Sequence, residues 1–108
     1  MMVTTTGSIA GKRVVRTLGL VRGNTIRARH IGRDITAGLR TLVGGEISEY
    51  TKLFAESREQ ALDRMVEDAE SLGAHAVIEA RFSTSMVMTG AAELMVYGTA
   101  VLLADAPE

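Results

Sequence analysis

A chain of 108 residues that is 46% apolar and 23% charged, with one proline and a net charge of -1, makes one globular domain with a modest buried fraction. It contains no cysteine, which excludes disulfides, thiolate metal centres and a cysteine nucleophile. No global field draws it to nucleic acid or to an anionic membrane, and no segment approaches the roughly 20 apolar residues that a membrane span needs.

Met1–Ser8 lacks the basic region and the apolar run of a signal peptide, so a cytoplasmic protein is expected. Val3-Thr4-Thr5 is short and β-prone, and residues 7–11 read as a turn. Residues 13–22 are rich in β-branched and aliphatic side chains and predict a strand. Gly19 within it suggests a bulge or the close approach of another backbone. Gly23-Asn24 is a turn signal, with a second short extended piece over residues 25–29. Asp34 can cap a short helix to about Val43, since Ile35, Leu39 and Leu42 fall at helical spacing; Gly44-Gly45 then ends it.

The spacing of Ile47, Tyr50, Phe54, Ala61, Met65, Ala69 and Leu72 predicts a long helix over residues 46–72, with Leu53, Leu62 and Val66 widening its apolar stripe. Gly73 is placed to be the left-handed residue after the last turn, and Arg64 can reach Asp68 at i,i+4. Residues 74–82 alternate, with Ala74, Ala76, Ile78, Ala80 and Phe82 on one face: a strand with one buried side. Residues 83–90 read as a loop, with Met86 and Met88 near its tip. Residues 91–103 form a long strand that is apolar on both faces and asks for cover on two sides.

Charge is divided unevenly. Residues 1–45 carry eight Lys or Arg against Asp34 alone, while residues 46–72 carry eight acids against Lys52, Arg58 and Arg64. The basic third has no aromatic residue to stack a base, so pairing within or between subunits is the more economical use of that charge.

Several motifs together resemble a known family. They are Val21-Arg-Gly-Asn-Thr25, Ile31-Gly-Arg-Asp34, Ala37-Gly-Leu-Arg40, Val43-Gly-Gly-Glu-Ile47 and Glu49-Tyr-Thr-Lys-Leu53, followed by Gly73-Ala74, Ala76-Val-Ile78, Arg81-Phe82 and Tyr97-Gly-Thr-Ala-Val101. In this order they span nearly the whole chain, and the sequence closely resembles the YbjQ-like family of small prokaryotic proteins. The resemblance implies a dodecin-like α+β subunit, with an antiparallel sheet of order 1-3-2 packed on one long helix. It also implies a ring-forming homo-oligomer, most simply a pentamer, and the family's heavy-metal-binding label implies a divalent metal ion.

The residues themselves leave several functions open. For metal, His30 and His75 are the candidates; they stand far apart in sequence, and a solvated histidine is the plainer reading of each. Glu49, Glu56, Glu59 and Asp63 read as a solvated helix face. For catalysis, Asp34, Glu46, Tyr50 and Lys52 include groups able to act as acid or base, but no nucleophile–base spacing, P-loop or dinucleotide fingerprint accompanies them. For a small anion, Gly44 and Gly45 precede the helix N-terminus, with Arg22, Arg33 or Arg40 to supply charge, although Glu46 competes for the same positive end. Arg22, Arg33, Asp34, Gly44, Gly45, Glu46 and Tyr50 are therefore the candidate ligand-binding set. The leading expectation is a non-enzymatic homo-oligomer that holds a metal or small anion at subunit junctions. An interfacial enzyme using Asp34, Glu46 and Tyr50 comes second, and nucleic-acid binding through the basic stretch Arg22–Arg33 a distant third.

Overall fold

The computed structural model describes residues 1–28, 48–88 and 91–107. Their elements are β1 (Met2–Val3), β2 (Lys12–Ala28), α1 (Ser48–Ser71), β3 (Ala76–Met88) and β4 (Ala91–Asp105). They form a four-stranded sheet in the order β1-β3-β4-β2, with α1 packed on one face. β4 runs antiparallel between β2 and β3, so the three long strands have the 1-3-2 order that the resemblance implies. The sheet as a whole is mixed rather than purely antiparallel, because β1 pairs parallel to β3 at Met2↔Ala76 and Val3↔Val77. The chain thus enters along one edge, and its connection over residues 4–11 must reach the opposite edge before β2 can start.

Two expected breaks are absent. Gly23-Asn24 is not a turn; β2 runs through it without a register shift. Gly23 is there because α1 comes very close. A Cβ built on it would fall on the carbonyl oxygen of Ala61 and lie 2.5 Å from the amide nitrogen of Met65. The stretch read as a loop from Ser83 is instead strand as far as Met88, opposite β4 in regular register to Met86. Thr84 favours a strand by itself, and ladder pairing with β4 carries Ser83 and Ser85 along with it.

Gly19 does mark a bulge, with φ 126° and a register shift between Thr17 and Gly19. A second bulge was not legible in the sequence. Glu79 adopts φ 53°, and the register slips between Ile78 and Arg81. This slip breaks the expected alternation: Val77 and Ala80 face the helix, whereas Ile78, opposite Thr99, is on the other face. It also turns two amides outward, so that Glu79 N donates to Thr6 O at 2.9 Å and Ala80 N to Thr4 O at 2.9 Å.

Ala61, Met65 and Ala69, at i, i+4 and i+8, are fully buried against Val21, Val77, Ala80, Val96 and Ala100. The helix closes as expected at Gly73, φ 74°, where Ala74 N donates to Ala69 O at 3.1 Å and Gly73 N to Glu70 O at 2.9 Å. The expected Arg64–Asp68 pair does not form. Arg64 Nη1 donates to Asn24 O at 2.5 Å, and Asp68 Oδ2 accepts from Arg22 N at 3.2 Å. Both side chains cap outward backbone groups of β2, which are stronger partners than a solvated ion pair. No helix among the described residues is long and apolar enough to cross a membrane.

Candidate functional site

Directly opposed residues of neighbouring strands share a sheet face. Val96 and Gly98 face α1, so Tyr97 faces the other way. The register places it between Arg22 of β2 and Arg81 of β3. An Arg–Tyr–Arg row therefore crosses three strands on the face away from the helix. The next row is Asn24–Met95–Ser83, and from it Asn24 Nδ2 donates to Glu93 Oε2 at 3.1 Å.

The row is partly pre-set. Arg81 Nη1 donates to Thr5 O at 2.8 Å and to Ala80 O at 2.9 Å, which fixes one corner of the guanidinium and leaves its other donors available. Neither the Arg22 nor the Arg81 guanidinium pairs with a carboxylate among the described residues, where the one ion pair is Lys12–Asp105 at 2.5 Å; Asp68 meets only the backbone N–H of Arg22. Tyr97 is 36% exposed, enough to offer a ring edge and a hydroxyl. Two unpaired cations beside an aromatic ring suit a small anion, or a carboxylate-bearing surface with a flat contact.

Metal ligation finds less support. No group of three His, Cys, Asp or Glu comes together among the described residues. His75 Nδ1 accepts from Leu103 N at 2.9 Å, and an imidazole accepting there carries its proton on Nε2. In that tautomer neither ring nitrogen has a free lone pair, so His75 does not fit a metal ligand without losing this bond. On α1, Glu56, Glu59 and Asp63 line an open surface depression with Lys52; these are hard oxygen donors, poorly matched to a soft heavy metal.

Lys12 and Asp105 close the far end of the β2–β4 ladder. The Asp105 carboxyl is held below its usual range, first by the Lys12 hydrogen bond and then by the Lys12 charge.

Of the ligand-binding candidates, Arg22 stands in the row and Tyr50 lies in the first turn of α1. Arg33, Asp34, Gly44, Gly45, Glu46 and His30 lie outside the described residues, as does the short helix expected from Asp34. Tyr97 and Arg81 escaped sequence reasoning. Each was legible as a strand residue, but only register shows that they flank one another and Arg22.

The sequence profile of the YbjQ family, described as "Putative heavy-metal-binding", matches residues 1–104. The chain is 60% identical over 103 residues to a UPF0145 protein of Halorubrum lacusprofundi, covering 95% of this chain and 99% of that one. It is 59% identical over 101 residues to a UPF0145 protein of Methanosarcina acetivorans (94% and 95% covered), and 54% identical over 108 residues to one of Thermus thermophilus (100% and 95%). Among solved structures it is similar to a protein of unknown function of the DUF74 family from Pediococcus pentosaceus. That match has a TM-score of 0.65 at 19% identity, covers 96% of this chain and 98% of the other, and carries the fold alone. With a profile that spans almost its whole length and relatives above half identity end to end, this chain belongs to the YbjQ family.

Proposed function

We propose that this chain is a non-enzymatic, cytoplasmic homo-oligomeric module that assembles into a ring, most simply a pentamer with dodecin-like subunits, and holds a small anionic ligand where copies meet. The observation that carries the reading is how much apolar surface one copy leaves in water. Leu20 (68%), Ile26 (56%), Phe82 (47%), Met86 (77%) and Met88 (66%) are all exposed on the long strands. Phe82 and Met86 share the helix-side face of β3, while Leu20 and Ile26 share the other face of β2, and apolar side chains left in water along both sheet edges mark contacts with another macromolecule, of which a second copy is the simplest.

The Arg22–Tyr97–Arg81 row favours an anion over a metal, because its cations lack carboxylate partners among the described residues while His75 Nδ1 is already engaged. A heavy metal, as the family description has it, would need ligands from more than one copy or from outside the described residues. Light scattering of the purified protein at micromolar concentration tests the assembly; a monomer would sink the reading. Calorimetric titration of the assembled protein with inorganic phosphate, and separately with zinc, copper and nickel, tests the ligand class. Stoichiometric metal binding with none of phosphate would reverse the preference.

A further inference from the structure

Along the two outer edges of the sheet, the backbone groups that point away from it can be followed one by one. In an antiparallel ladder successive residues bond alternately inward and outward. Ala80 N points outward to Thr4 O, so on β3 the outward residues beyond it are Phe82, Thr84 and Met86. On β2, Arg22 N points outward to Asp68, and the same alternation along β4 makes Leu20 and Thr17 outward too.

Each edge is covered over only part of its length. On β3, β1 and the residues after it take Val77 O and the amides of Glu79 and Ala80, after which no described residue bonds the edge. On β2, Asp68 and Arg64 cap Arg22 and Asn24, whereas the outward groups of Thr17 and Leu20 have no partner among the described residues. The free stretch of β3, residues 82–88, contains no charge and no proline. Of the devices that normally keep a strand edge from pairing it carries only a register irregularity near its end, between Met86 and Met88. The two free stretches also lie at opposite ends of the sheet, since Arg81 shares a row with Arg22.

We infer that the free edge of β3 over residues 82–88 takes as an added strand the free edge of β2, around Thr17–Leu20, from a second copy of this chain. The inference rests on the homo-oligomeric reading above and specifies its contact. β2 and β3 both run antiparallel to β4, so repetition of the sheet sets the incoming β2 parallel to β3. Outward residues of β3 such as Thr84 lie on the helix side, and the β2 residues that would face them, next to Thr17 and Leu20, lie on that side as well. The joined sheet therefore keeps its helices on one face. Joining the lower half of one strand to the upper half of the other staggers each copy along the strand direction, the offset that a closed ring of strands requires.

The two other self-pairings fit less well. β2 against β2 leaves both β3 edges bare. β3 against β3 leaves both β2 edges bare.

The test uses proline and lysine at outward positions. T84P removes an N–H that serves no bond among the described residues, and T84K places a charge on the edge without changing the backbone. T17P does the same to β2. Circular dichroism checks the fold and light scattering the mass. With wild type assembled, T84P, T84K and T17P are expected at the mass of one copy. Mixing T84P with T17P is expected to yield a dimer, because one intact edge of each kind remains. Folded T84P and T84K that assemble like wild type would overturn the edge contact alone. A T17P that still dimerises, with no further mass on mixing, would replace it by β3 against β3. A monomeric wild type would overturn the oligomeric reading as well.

Discussion

The two halves of α1 carry the same apolar repeat but meet the sheet differently. In the C-terminal half, Ala61, Met65 and Ala69 are fully buried, and the helix backbone comes down onto Gly23, where no side chain holds it off. In the N-terminal half Ser57 is buried and Thr25 Oγ1 donates to its carbonyl at 3.5 Å, while Phe54 remains 41% exposed and Leu53 is half-buried. Periodicity selects which face of a helix turns inward. The size of the residues on the opposing surface decides how close it comes, and therefore which side chains lose water.

Substitutions separate the halves. Met65→Ala is expected to have the largest effect, about 2–5 kcal/mol in chemical denaturation, since it opens a cavity where the helix sits closest. Gly23→Ala should follow at about 1–3 kcal/mol, because the new methyl meets helix backbone rather than a side chain that can move. Phe54→Ala should cost only about 1 kcal/mol in a single copy, as a partly exposed side chain does. A loss well above that in an assembled sample would show that a neighbour covers the ring.

The smallest effect belongs to the far end of the sheet. The depressed carboxyl of Asp105 contributes stability that is present above its unfolded value, about 4, and lost as pH falls through its lower folded value. Acid unfolding of wild type and Asp105→Asn should therefore differ slightly at neutral pH and converge at the acid end. A difference that persists at the lowest pH would assign the effect to something other than this ion pair.

The helix, its glycine stop at Gly73, the bulge at Gly19 and the long final strand were all legible, because each rests on periodicity, on a run of apolar residues or on a residue with an unusual backbone range. The continuity of β2 through Gly23-Asn24 was not. A glycine that makes room for a helix looks, in sequence, like one that makes a turn. The extension of β3 to Met88 was hidden for a related reason: Ser83 and Ser85 become strand only because β4 lies beside them. For the candidate site, Arg22 was legible as a charged strand residue, while Arg81 and Tyr97 needed the register to bring them beside it. The bulge at Glu79 intervenes in that register, and a glutamate in a left-handed conformation leaves no local signature.

That bulge also bears on the order in which the molecule can come together. The amides that hold the first residues in place point outward only once β3 has its kink, and β3 lies more than seventy residues downstream of β1. During synthesis residues 2–6 emerge before β3, so their docking site does not exist until residues 76–80 have been made. β3 and β4 are neighbours in sequence and can pair early. The strand that opens the chain is therefore placed to fold last, as a clasp on a sheet already assembled.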